Sequence, residues 1–198
     1  MDIHDAAVDR VEAEYEKTLS LPEEKPARSF ILCPIGVVGA GKTSVVRPLA
    51  TRLSLVRIST DEIRKIFKEH GYGWDRVREL GTRLAEKYIR FGYSVALDAD
   101  CLGRAQQLKD FSKENSVPLV WIKVDAPEEF IIQKLARFSG PSIFASNDAV
   151  IQNYRESRLR HEKEPFTEPF VCIFDTSRDD LPQQVAECSE KITEAMRR

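Results

Sequence analysis

The chain has 198 residues, 42% hydrophobic and 31% charged, with a formal net charge of −2. So much apolar content with so little net charge excludes a disordered chain, and Gly 9 with Pro 10 excludes a collagen-like architecture. No window approaches the ~18 uninterrupted apolar residues of a membrane span, and the acidic start at Asp2, Asp5 and Asp9 is unlike a targeting peptide, so a cytoplasmic protein with no membrane partner is expected.

Apolar residues at Ile3, Ala7, Val8, Val11, Tyr15 and Leu19 recur near a helical period, which predicts a helix over 3–19 with Val8, Val11 and Tyr15 on its buried face. The polar, proline-containing stretch 23–28 reads as a connector, setting residues 1–28 apart from a domain over 29–198. Residues 30–35 form a short apolar run that fits a strand covered on both faces, although Pro34 removes one ladder donor. Helical and strand patterns then alternate. Helices are expected at 42–53, 61–70, 75–91, 104–115, 127–137, 148–163 and 181–197, and further strands at 55–58, 94–98, 118–124 and 170–174. A Gly-Pro loop separates 137 from 148. Five strands in this alternation predict an α/β fold, a mostly parallel sheet between two layers of helices. Cys33, Cys101, Cys172 and Cys188 show no CxxC or CxxH spacing and read as buried thiols, not as a zinc site or a disulfide frame.

Residues 36–43 spell Gly-Val-Val-Gly-Ala-Gly-Lys-Thr, a GxxxxGK[ST] phosphate loop placed between a strand and a helix, the context such a loop requires. Glycines let backbone N–H groups converge on phosphate oxygens, and the following helix adds its dipole. Gly36, Gly39, Ala40, Gly41, Lys42, Thr43 and Ser44 are therefore the expected nucleotide-binding residues. Lys42 suits the β- and γ-phosphates of ATP, and the Thr43 hydroxyl suits Mg²⁺. No NKxD tetrapeptide is present to read guanine, and the helical lid domain of a full AAA+ motor is not expected after the core. A small kinase or an uncommitted ATPase is left. Asp61 and Arg64 stand three residues apart at a helix start and share one face. There a carboxylate can take a proton from a hydroxyl while the arginine orients an anionic part of the acceptor. Ser59 and Glu62 also spell a capping box, the plain structural reading of the same segment.

Gly36 through Thr43, Ser59-Thr60-Asp61-Glu62-Ile63-Arg64, Val95-Ala96-Leu97-Asp98 followed by Arg104, and Val124-Asp125-Ala126-Pro127-Glu128-Glu129 recur in order. Over about residues 29–177 this resembles the P-loop predicted-kinase group, which includes polynucleotide 5′-hydroxyl kinases and zeta-toxin-like kinases. The resemblance implies that Asp61 is the general base, that Arg64, Asp98 and Arg104 serve the acceptor, Asp98 near the metal or the acceptor, and that residues 175–178 lie by the adenine. It also implies lid arginines spaced i and i+4 at the end of the fourth helix. Arg137 fits the second position and completes a catalytic set with Lys42 and Asp61, but Gln133 stands at the first, with Lys134 beside it. Arg155, Arg158, Arg160 and His161, interleaved with Glu156, Glu162 and Glu164, read as a solvated face. The expected activity is transfer of the γ-phosphoryl group of ATP to a hydroxyl. The −2 charge leans toward a small-molecule acceptor over a polynucleotide 5′ end. A regulatory protein that binds or slowly hydrolyses ATP is the competing class, and Gln133 is its support.

Overall fold

In the computed structural model, which describes residues 3–137 and 146–197, five parallel strands lie in the order β2-β3-β1-β4-β5. They are β1 (Ile31–Ile35), β2 (Val56–Ser59), β3 (Val95–Asp98), β4 (Leu119–Asp125) and β5 (Cys172–Asp175). The sheet is wholly parallel, where the sequence predicted mostly parallel. Helices α1 (Ile3–Glu16), α2 (Lys42–Arg52), α3 (Thr60–Glu69), α4 (Val77–Arg90), α5 (Ala105–Asn115), α6 (Glu128–Ala136), α7 (Asn147–Lys163) and α8 (Leu181–Arg197) cover it. A short 3₁₀ turn, Leu102–Arg104, precedes α5, which begins one residue after the expected 104. The fifth strand begins two residues later than its apolar run suggests. The expected Gly-Pro loop falls at 138–145, outside the described residues.

Alternation along the strands builds two cores. Ile31, Cys33 and Ile35 of β1, with Val95 and Leu97 of β3, pack with α1, α3 and α4 on one face. Leu32, Ala96, Ile122 and Phe174 pack with α2, α6, α7 and α8 on the other. A period of two directs successive side chains to opposite faces, so an unbroken apolar run is what a strand buried on both sides requires. Pro34 is tolerated in central β1 because of where its missing N–H falls. The ladder to β3 holds only Ile31↔Val95 and Leu32↔Ala96, while β4 pairs with all five residues. The Pro34 carbonyl then accepts from Cys101 N at 3.0 Å.

α1 buries Val8, Val11 and Tyr15, as its periodicity predicts, against α3 and α4. Glu12 pairs with Arg83 and Lys87, and Glu16 with Lys87, so charges fringe the apolar seam. The Tyr15 hydroxyl accepts from Ser59 N at 2.7 Å, at the junction of β2 and α3. On the opposite flank the expectation of four thiols fails for two of them. Cys172 of β5 and Cys188 of α8 form a disulfide with a Cα–Cα distance of 5.9 Å, while Cys33 and Cys101 are buried and free. The pairing depends on α8 returning across β5, a tertiary contact that the 16-residue separation does not encode. No helix among the described residues is long and apolar enough to cross a membrane.

Replacing Tyr15 by Phe leaves a buried amide without its acceptor. The expected loss is about 1–3 kcal/mol of folding stability, read as a lower denaturation midpoint at unchanged m. An unchanged midpoint would show that the hydroxyl contributes nothing at this junction.

Candidate active site

The phosphate loop leaves β1 where the sheet order switches direction, with β3 on one side and β4 on the other, the crevice where open parallel sheets bind ligands. Gly36 has no room for a side chain: a Cβ there would stand 2.2 Å from the Val124 carbonyl oxygen. Gly41 precedes α2 at φ +93°, a backbone that L side chains rarely adopt, and its missing Cβ admits Thr176. Thr176 Oγ1 in turn donates to Ala40 O at 2.7 Å, tying the end of β5 to the loop. Lys42 begins α2 and folds back over the loop, its Nζ donating to Gly36 O and Val37 O at 2.8 Å each. Desolvation pulls the Lys42 ammonium below its usual pKa, and the carboxylates of Asp100, Asp61 and Asp98 oppose that pull.

Thr43 Oγ1 donates to Asp98 Oδ1 at 3.0 Å. Asp98 is 4% exposed at the end of β3 and is also ion-paired with Arg57 of β2, which holds Glu62 with its other nitrogen. Burial raises the Asp98 carboxyl above its ordinary pKa; Arg57 and the Thr43 hydroxyl restrain the rise. Hydroxyl and carboxylate oxygens side by side next to a phosphate loop are hard donors of the kind Mg²⁺ takes alongside phosphate and water. Among the described residues no group of three or more His, Cys, Asp or Glu could hold a metal unaided, so such an ion would share its shell with the nucleotide.

A cavity of about 540 Å³ opens over this floor. Of the expected nucleotide-binding residues, Gly39, Gly41, Lys42, Thr43 and Ser44 line it, whereas Gly36 and Ala40 are buried and do not. Asp61, Arg64, Asp98 and Arg104 line it too. Asp61 and Arg64 are ion-paired, as their spacing along α3 predicts, and Ser59 caps the helix by accepting from Glu62 N. The cap and the cavity-facing pair therefore coexist, since they use different side chains. Arg104 is 7% exposed. Its Nη1 donates to Thr82 Oγ1 at 3.3 Å, and its Nε has no partner. Arg137 caps α6, is exposed, and does not line the cavity. Lys134 does, with Nζ 3.5 Å from Gly39 O, so the residue beside Gln133 supplies the cation on this wall.

Several lining and supporting residues carry no signal in the sequence. Arg57 became relevant only because β2 neighbours β3, and Arg78 only because α4 returns over the strand ends. Asp100 accepts from Gly36 N at 3.3 Å and bonds His161 at 3.0 Å, while Ser157 Oγ accepts from Val38 N at 3.2 Å, so α7 is fastened to the phosphate loop twice. The basic run on α7 is thus divided. Arg158 pairs with Glu128 and Glu162 at the surface as expected, but Arg160 lines the cavity and His161 faces Asp100. An i, i+3 pattern from Ser157 to Arg160 was the available clue, hidden by the intervening Arg158.

The sequence profile of the family described as "AAA domain" matches residues 31–161. No curated protein matches the chain. Among solved structures, the APS kinase of Mycobacterium tuberculosis, solved with AMPPNP and APS, is 14% identical with a TM-score of 0.57 and covers 85% of this chain and 99% of that one. The PezAT toxin–antitoxin structure of Streptococcus pneumoniae is 15% identical with a TM-score of 0.60, covering 100% of this chain and 98% of that one. A gluconokinase of Sinorhizobium meliloti 1021 is 15% identical with a TM-score of 0.54, covering 87% of this chain and 95% of that one. At such identities the likeness is one of fold.

Gly36→Ala is expected to abolish AMPPNP binding and lower the thermal midpoint, because the new Cβ meets rigid β4 backbone and not a movable side chain. Calorimetric titration and a melting curve check both effects, and wild-type values in the variant would mean that β1 and β4 separate easily here.

Proposed function

The chain belongs to the AAA domain family and has the P-loop kinase-like fold, and on that premise we propose that it is an ATP-dependent phosphotransferase acting on a hydroxyl acceptor. One observation carries the reading: a single cavity has a phosphate loop on one wall and the Asp61–Arg64 pair on another. A nucleotide-dependent switch needs the first wall and has no use for the second.

In this mechanism the loop amides and Lys42 hold the β- and γ-phosphates of ATP. Thr43 and Asp98 would hold Mg²⁺, which would offset negative charge on the phosphates. Arg64 orients the Asp61 carboxylate and the acceptor beside it. The acceptor oxygen forms a bond to the γ-phosphorus as the bond from that phosphorus to the β–γ bridging oxygen breaks. The hydroxyl proton passes to Asp61, and ADP leaves. Lys134 faces the cavity from α6 and offsets charge on the moving group. Its presence there supports transfer over the regulatory ATPase reading, which rested on Gln133. The chemistry of the acceptor is a small hydroxyl compound in preference to a polynucleotide end, in keeping with the net charge of −2.

Two variants separate the roles. Lys42→Ala should lose ATP binding with the fold intact by circular dichroism. Asp61→Asn should keep AMPPNP affinity while acceptor phosphorylation falls roughly a hundredfold or more. The assay follows label from γ-³²P-ATP into a panel of sugars, nucleosides, nucleotides and 5′-hydroxyl oligonucleotides. Release of inorganic phosphate with no labelled acceptor in any class would favour the ATPase.

A further inference from the structure

The cavity holds more positive charge than ATP uses. Lys42 and Lys134 stand at the phosphate loop, where they meet the residual negative charge of a Mg²⁺-bound triphosphate. At the other end, on the β2–β3 side of the sheet, Arg78 of α4, Arg104 of the 3₁₀ turn and Arg160 of α7 converge with Arg64. Only Arg64 has a carboxylate, Asp61. Among the described residues Arg78, Arg104 and Arg160 form no ion pair. Arg104 is the most telling of the three. It is buried, its guanidinium passes over Gly81 of α4 with Nη1 3.6 Å from where a Cβ would stand, and among the described residues its only hydrogen-bond partner is a neutral hydroxyl. A buried cation with an unmatched Nε and no counter-charge is unfavourable unless a ligand completes it. Burial, followed by the like charges of Arg160, Arg104 and Arg64, draws the Arg78 guanidinium below its usual pKa, so the cluster is mutually repelling. The carboxylates that line the same cavity are already engaged: Asp98 by Thr43 and Arg57, Asp100 by His161 and the Gly36 amide.

We propose that the hydroxyl acceptor is itself a phosphate-bearing compound, whose phosphate group is gripped by Arg78, Arg104 and Arg160 while its hydroxyl faces Asp61. Planar guanidinium groups suit a phosphate oxyanion in both charge and geometry. The three arginines come from different elements, so they enclose the group from several sides. Arg160 links this end to the phosphate loop, since its helix is fastened there through Ser157 and His161. The inference rests on the kinase reading for the role of the bound compound, but the anion subsite is measured without any turnover.

Protein saturated with AMPPNP and Mg²⁺, so that the phosphate loop is filled, is titrated with inorganic phosphate at constant ionic strength. Saturable binding is expected. It should weaken roughly tenfold to a hundredfold in Arg78→Gln and in Arg160→Gln, with AMPPNP affinity changed less than about twofold. Both side chains reach solvent, so both variants are expected to fold. Arg104→Gln is informative only if its melting curve stays cooperative. No saturable phosphate binding, binding indifferent to both variants, or an equal loss of AMPPNP affinity each overturns the proposal. Asp61→Asn distinguishes this failure from that of the kinase reading: it should cut label transfer roughly a hundredfold or more while saturable phosphate binding persists.

Discussion

Asp98 carries its carboxylate where water is nearly excluded, and the arrangement of the strand ends follows from the need to satisfy it. Arg57 approaches from β2, Thr43 from α2, and Glu62 of α3 takes up the remaining side of Arg57. A buried acid left unpaired would cost several kcal/mol, so the register Ser59↔Asp98, the start of α3 and the first turn of α2 are mutually dependent. Asp61 and Arg64 inherit their position from that arrangement. They flank Glu62 on α3, which Arg57 clamps to the floor of the site, and this gives the two side chains a fixed direction.

The parts of the molecule legible in the sequence are those whose signal is local. The phosphate loop is one continuous run of eight residues, the strands are apolar runs, and α1 shows its buried face at Val8, Val11 and Tyr15 by period alone. The pairing of Asp61 with Arg64 also lies within a single helical turn. By contrast Arg57, Asp100, Ser157 and Arg78 take their meaning from which elements become neighbours, and the strand order 2-3-1-4-5 is not written in any one segment. The disulfide belongs to the same class, because its cysteines meet only after α8 has docked on β5. Arg137 caps the end of α6 and is exposed, while Lys134 of the same helix lines the cavity.

α7 has a double character that its sequence conceals. Its mean hydropathy is low, and along one side Arg158 and Glu162 form the solvated ladder that the charge pattern suggests. The other side supplies Ser157, Arg160 and His161 to the phosphate loop and the cavity. The helix is seated in the core by Val150 and Tyr154, one turn apart, and is aligned on the site by hydrogen bonds to a backbone amide and a carboxylate.

The Tyr15 hydroxyl and the Ser59 amide are 44 residues apart in the chain, and their bond makes the earliest helix a structural support for α3. During synthesis α1 leaves the ribosome well before α3 and α4, so its apolar seam waits in contact with solvent or a chaperone until about ninety residues have emerged. The phosphate loop is fastened by residues made after it, since Asp100, Ser157 and Thr176 hydrogen-bond to it and Val124 packs on Gly36. The geometry of Asp61, on the other hand, is completed only when a segment made much earlier folds back. Nascent chains of intermediate length would therefore hold the start of α3 in place before the phosphate loop is fastened, separating in time two features that the finished protein holds together.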